Sequence, residues 1–262
     1  AVIEYGSRYD YVVCSGGDGT MNEVANGMMR LHEKPICGYI PAGTVNDFAS
    51  SLRIPKIMRH AAELVTQGKV FRCDLGSFND KFFTYVAGFG AFTEVSYTTP
   101  QEWKNMLGKT AYFIEGLKHL AEIKPHHMRI TYDDGVVEDD FVLGLVSNSV
   151  SVAGYKAYQK EDIKMDDGLF EVLFIRDLKN ALELQEVLNA LLTKHLDATK
   201  MFRCSSRHLH IVSDDEVQWT LDGEDGGSWD EVDLFNHQQV LPIICGDEAL
   251  EDISSQMGEE PL

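Results

Sequence analysis

The sequence predicts an α/β domain built on a parallel sheet, followed by an all-β domain of antiparallel strands. Two observations carry this. Near the start, short apolar runs enter glycine turns and are followed each time by helical spacing, the grammar of a parallel sheet. Beyond residue 69 the pattern shifts to many short strand-like segments with hairpin-like links such as Asp133-Asp134-Gly135.

The elements follow in order. Residues 11–15, Tyr-Val-Val-Cys-Ser, read as a buried strand entering the turn at Gly16. Residues 20–31 place Met21, Val24, Ala25, Met28, Met29 and Leu31 at helical spacing, and Pro35 ends that stretch. A second strand at 36–40 enters the turn Pro41-Ala42-Gly43, a helix opens near Asn46, and another spans 56–67 and stops at Gly68. Strands are then expected at 69–78, 81–88, 127–133, 136–147, 169–176, 203–212, 216–221 and 231–243, interrupted by helices at 103–122 and 178–195. The expected division is an α/β nucleotide-binding domain over 1–80 and a β-rich domain over 81–245, whose last strands can return to the first. Residues 246–262 are expected to be a solvated acidic tail.

Composition narrows the function classes. The 262 residues carry 42 acids against 23 Lys and Arg, a net charge of -19. No basic nucleic-acid footprint is present, so nucleic acid is not an expected partner. Residues 1–90 are neutral, and the whole excess falls on residues 91–262. No run approaches the ~18 apolar residues of a membrane-spanning helix. Five widely spaced cysteines without a CxxC argue against a disulfide framework or a zinc site and fit a reducing cytoplasm.

The strongest local signal is Gly16-Gly17-Asp18-Gly19-Thr20-Met21-Asn22-Glu23, directly between a strand and a helix. Glycines there allow close approach of a ligand, and free amides at the helix start favour an anion such as phosphate. Asp18 would repel phosphate but can bind Mg²⁺, which carries phosphates. The plainer reading is a tight turn with Thr20 as helix cap. The second signal, Ile40-Pro41-Ala42-Gly43-Thr44-Val45-Asn46-Asp47-Phe48-Ala49, has the same setting, with Thr44 or Asn46 available as cap. In a parallel sheet the two turns lie side by side at the strand carboxyl ends, where ligands bind. The complete Walker motif GxxxxGK[S/T] is absent, since Gly108-Lys109-Thr110 has Trp103 where its first glycine would stand, and GxGxxG is absent too. Asp222-Gly223 and Asp166-Asp167-Gly168 are turn dipeptides that can also carry function. His208 and His210 share one strand face but lack a third ligand nearby in sequence. Arg53, Lys56 and Arg59 can meet lipid headgroups or nucleotide phosphate, or form a solvated helix face. The run 103–120 can lie on a membrane interface or pack on the β domain.

Together Gly-Gly-Asp-Gly-Thr and the Pro-Ala-Gly-Thr-Val-Asn-Asp-Phe-Ala block resemble the catalytic domain of the diacylglycerol kinase family, especially its soluble bacterial members. The likeness continues through Tyr85-Val-Ala-Gly-Phe-Gly-Ala-Phe-Thr-Glu-Val, Lys164-Met-Asp-Asp-Gly-Leu and Leu221-Asp-Gly-Glu. It implies a phosphofructokinase- or NAD-kinase-like α/β nucleotide-binding domain, then an antiparallel β-sandwich. The family's first βα unit, with its Asn-Pro loop, has no counterpart before Tyr11. The resemblance implies ATP and Mg²⁺ as cofactors and transfer of phosphate to a lipid hydroxyl, most simply diacylglycerol. It assigns ATP to Gly16, Gly17, Asp18, Gly19, Thr20, Asn22, Glu23, Thr44 and Glu224. Asp222 becomes the proton acceptor. Asp18, Asp47 and Asp74 are placed near the catalytic Mg²⁺. A structural Mg²⁺ is assigned to Asp167 with the carbonyls of Lys164 and Leu169. The implied setting is the cytoplasm, at the inner face of the membrane, with the lipid substrate as partner, no obligate protein partner and a homodimer open to pairing strand edges. The rivals are an NAD kinase, which shares Gly-Gly-Asp-Gly-Thr, and a non-catalytic lipid- or nucleotide-binding module.

Overall fold

Alternating strand and helix signals fold as the spacing demands at the start of the chain. The computed structural model describes residues 1–90, 123–148, 164–193 and 199–246. A short helix α1 (Val2–Tyr5) precedes β1 (Tyr11–Gly16), α2 (Asp18–Met29) and β2 (Ile36–Pro41). Then come α3 (Asp47–Ser51) and α4 (Met58–Gln67). Strands β1 and β2 pair in parallel from Tyr11 opposite Ile36 to Gly16 opposite Pro41, which sets the two glycine turns side by side. Met21, Ala25 and Met28 are the buried stripe of α2, and they meet Cys14, Cys37 and Phe48 in one core.

The other described strands pair antiparallel, except for the parallel pairing of the last of them with β2. They are β3 (Lys69–Phe78), β4 (Lys81–Phe83), β5 (Val86–Gly90), β6 (His126–Tyr132), β7 (Gly135–Ser147), β8 (Phe170–Arg176), β9 (Met201–Ser206), β10 (His208–Leu221) and β11 (Glu224–Cys245), with helix α5 (Ala181–Thr193) between β8 and β9. Their interior is aromatic: Phe89 packs edge-on against Phe174 and Trp219, and Phe83 stacks on Phe170. The backbone of the arrangement is the path β1-β2-β11-β10-β5-β7-β8-β9. Strand β11 pairs with β10 and β3 in antiparallel fashion and ends beside β2, Ile243 opposite Cys37.

The structure corrects some of the expected strand limits. The strand expected at 203–212 is two strands, because the chain bends at Arg207, whose amide donates to Asp133 instead of to a neighbouring strand. The segments 203–212 and 216–221, expected as separate strands, are joined: β10 is continuous past 213, with a register shift between Val212 and Val217 absorbing the polar residues. The last strand opens at Glu224, not 231, since the hairpin of Asp222 and Gly223 starts its pairing at once. The helix expected at 103–122 and the acidic tail from 247 lie outside the described residues.

Candidate active site

Strand β1 delivers the first loop. Gly17, in extended conformation, is the N-cap residue of α2, and its carbonyl accepts from the Met21 amide at 3.1 Å. Thr20 is therefore inside the helix and is not its cap. The second loop is tied to the first: the Ala42 amide donates to the Gly16 carbonyl at 2.8 Å. A methyl group added to Gly43 would stand 2.5 Å from the Gly17 Cα, so this contact requires glycine. Asn46 is left-handed (φ 54°) and its side-chain amide folds back on Gly43, donating to the carbonyl at 2.7 Å and accepting from the amide at 3.0 Å. Asn46 stands at the N-cap of α3, but neither its side chain nor that of Thr44 caps the helix. Asp18 does so from the first loop: its Oδ2 accepts the Asp47 amide and its Oδ1 the Phe48 amide, both at 3.2 Å. Asp18 and Asp47 are thus brought together, while Thr44 is exposed on the second loop.

The hairpin between β10 and β11 brings the third part. Asp222 and Gly223 both have positive φ, 53° and 84°, which makes a tight turn. The Asp222 carboxylate is buried and receives five donors. Its Oδ2 accepts from the Asn22 amide group, the Thr84 amide and the Thr84 hydroxyl, each at 2.7 Å. Its Oδ1 accepts from the Tyr85 amide at 2.9 Å and the Val86 amide at 3.0 Å. Burial pushes the Asp222 carboxyl above its ordinary value, and the donors hold it down in part. The next acid, Glu224, lies over the first loop, where a methyl on Gly19 would meet its Oε1 at 3.3 Å. Burial first, then Asp222, Asp18, Asp47 and Glu224, push the Tyr85 phenol well above its usual value. Beside them a cleft of 280 Å³ opens, lined by Asn22, Glu23, Asn26, Lys81, Phe82 and Glu224.

Asn22, read with the nucleotide loop, directs its side chain at Asp222 and at the Phe82 carbonyl, 3.1 Å away. Asn26, one helical turn on, donates to Asn22 Oδ1 at 3.0 Å and accepts the Phe82 amide at 3.0 Å. Asp74 accepts the Gly168 amide at 2.6 Å and the Gln239 amide at 2.7 Å through its carboxylate. Its backbone amide also reaches the Met165 carbonyl. It belongs to the loop Lys164–Leu169, and burial, with help from Asp167 and Asp166, pushes its carboxyl up to about 6. Thr84 and Asn26 are site residues that sequence reasoning misses. Asn26 had a signal, since it follows Asn22 at one-turn spacing on the same helix face. Thr84 had none; it meets Asp222 across 138 positions of sequence.

The donor sets suit a hard cation. In the 164–169 loop Asp167 Oδ1 accepts the Leu169 amide at 3.0 Å, and a carboxylate with backbone carbonyls is the oxygen chemistry such a cation takes. At Asp18 each oxygen takes one amide and retains a lone pair. Among the described residues, no three His, Cys, Asp or Glu side chains cluster as a metal site. His127, His208 and His210 stand instead beside Asp140, Asp233 and Glu231.

Residues 3–78 match the family model described as the diacylglycerol kinase catalytic domain, and residues 86–243 that of the YegS C-terminal NAD kinase beta sandwich-like domain. A diacylglycerol kinase of Staphylococcus epidermidis is 35% identical over 239 residues, covering 91% of this chain and 75% of the relative. One from Bacillus subtilis is 33% identical over 238 residues, covering 89% and 78%. The crystal structure of a diacylglycerol kinase from Bacillus anthracis aligns with a TM-score of 0.79 at 27% identity, over 94% of this chain and 81% of that one. An NAD kinase from Archaeoglobus fulgidus shares the fold at 13% identity and a TM-score of 0.51, over 97% of this chain and 84% of that one. Fold and matches define a kinase of the lipid-kinase class, with an α/β part and an NAD-kinase-like β-sandwich. The chain belongs to the diacylglycerol kinase family.

Proposed function

We propose that this kinase transfers the γ-phosphate of ATP to the free hydroxyl of diacylglycerol, giving phosphatidic acid, with Mg²⁺ as its ion. One observation carries the reading: a buried carboxylate, Asp222, is hydrogen-bonded through Asn22 to the helix that opens from the first glycine loop. Acid–base chemistry and a phosphate cradle therefore form one connected unit. The names of the curated relatives support diacylglycerol as acceptor.

In this mechanism Gly16 to Glu23, with Thr44 and Glu224, hold the nucleotide. The acceptor oxygen forms its bond to the γ-phosphorus as the bond to the β-phosphate oxygen breaks, and Asp222 takes the hydroxyl proton. All the lone pairs of Asp222 are engaged at rest. The Thr84 hydroxyl can leave by rotation alone, without moving a heavy atom, and so opens Oδ2 to the incoming proton. Asp18 and Asp47 would hold the catalytic Mg²⁺, which when bound neutralises phosphate charge. Lys164, Asp167 and Leu169 would hold a second, structural Mg²⁺ that fixes the loop against Asp74.

Among the described residues no helix is long and apolar enough to cross a membrane. We place the enzyme at the inner face of the cytoplasmic membrane. The test is transfer of labelled γ-phosphate to diacylglycerol in mixed micelles, with NAD as a parallel acceptor and Asp222→Asn as control. Labelled lipid with the parent and none with the variant is expected. Label on NAD alone, or on nothing while ATP still binds, would overturn the reading.

A further inference from the structure

We infer that the surface formed by Arg53, Lys56, Ile57, Met58 and Arg59 docks the enzyme on an anionic lipid bilayer. The inference rests on the lipid-kinase reading for its purpose, but not for its evidence. Residues 56–60 are five consecutive exposed positions at the entry to α4, and Ile57 and Met58 are 61% and 53% exposed. Isolated exposed apolar residues are ordinary. These two are adjacent, flanked by cations, and held out on a firm base: Ile54, Leu52 and Ala61 beneath them are buried. An apolar pair between basic side chains is the composition that enters a headgroup layer.

The charge that matters here is local. The chain is strongly acidic, yet residues 48–62 contain no acid and three Arg or Lys. The acid facing this surface from its own helix is Glu63, 3.6 Å from Arg59. At physiological salt, charges more than about 8 Å apart are largely screened, so the patch meets an anionic membrane on its own sign rather than the chain's. Its position fits the purpose. Lys56 Nζ reaches the Val45 carbonyl of the second glycine loop at 3.5 Å, and α3, which precedes the patch, is capped by Asp18. A bilayer on this surface would lie beside the loops that frame the site. Each basic residue near such a surface strengthens binding roughly fivefold.

The experiment uses the full chain without nucleotide, sedimented with phosphatidylcholine vesicles with or without phosphatidylglycerol. Two variants are compared, the double variant Ile57→Ser with Met58→Ser, and Arg59→Glu. Each is checked by thermal melting and by phosphorylation of a water-soluble short-chain diacylglycerol. The parent should bind only the anionic vesicles and release in high salt. The charge variant should bind at least about tenfold more weakly, and the serine variant should also lose partition. Both should keep the parent's rate on the soluble acceptor. No binding by the parent, or equal binding by both folded variants, overturns the inference. Partition is read without turnover, so it tests the docking surface even if the chain phosphorylates neither acceptor, an outcome that would sink the kinase reading alone.

Discussion

Replacing Asn22 with alanine removes one of three donors from Asp222 Oδ2 and leaves the backbone donors in place. A hydrogen bond to a charged group is worth about 1.5–3 kcal/mol. That donor favours the ionised carboxylate, so its loss raises the Asp222 pKa further. The sign follows from the role. A proton acceptor must be ionised, so activity falls on the acid side of its pKa, and burial already places that limb above the ordinary carboxylate range. In Asn22→Ala the acid limb of kcat/KM should move further toward neutral pH, while the rate on the alkaline plateau changes less. The assay is labelled phosphate transfer across a pH series, with thermal melting to confirm the fold. An unshifted acid limb in a folded Asn22→Ala protein would refute the reasoning, because a donor at 2.7 Å from a buried base cannot be removed without electrostatic effect.

Other outcomes follow from the same geometry. Gly43→Ala would press a methyl onto the Gly17 backbone and part the two loops; transfer activity should fall at least about tenfold and the melting temperature should drop, as overpacking of about 1–3 kcal/mol requires. Asp74 should titrate near 6 in carboxyl ¹³C NMR. With a raised folded-state pKa, its stabilising contribution is full below about 4 and fades as pH rises through about 6; a midpoint at 4 or lower would contradict its burial. Thr84→Val deletes the rotating donor but keeps shape and backbone; with one donor fewer the Asp222 carboxyl titrates higher, so the acid limb of kcat/KM should move toward neutral pH in steady-state assays, and Thr84→Ser should restore it.

The parallel sheet is legible in the sequence because its signals are local. Each strand, its glycine turn and the following helix occupy fewer than twenty adjacent residues, and parallel pairing then forces the turns together. The helix caps are illegible for the opposite reason. Thr44 and Asn46 are the right residue types at the right places, but a carboxylate from the neighbouring loop, Asp18, takes the α3 amides, and Thr20 lies inside α2, whose N-cap is Gly17. No pattern within residues 40–50 reveals that. The place of Asn22 in the loop motif points to the nucleotide, whereas its phase on α2 turns it toward Phe82 and Asp222. The partners of Asp222 from Thr84 to Val86 approach from a strand far away in sequence, so only the folded sheet shows them. Strand limits in the β region fail where a bend or bulge interrupts pairing without interrupting apolar alternation, as at Arg207 and after Val212.

The turn and catalytic readings of Asp222 are one reading. A carboxylate can be delivered to the glycine loops from the end of a β-hairpin only if the tip residue tolerates positive φ, and aspartate does so better than most. Strand β11 then anchors that tip: it runs back along β3 and ends beside β2, the strand that carries the second glycine loop. Asp222 and the two glycine loops thus share one continuous sheet. This also decides which substitution is informative. Asp222→Ala strains a left-handed position and strands five donors at once, so loss of activity there mixes folding with chemistry. Asp222→Asn keeps the tolerance for positive φ but sets an NH₂ against amide donors, at a cost of about 1–3 kcal/mol. If Asp222→Asn retained its melting temperature to within a degree or so, the donor assignments around Asp222 would be wrong, whatever its activity.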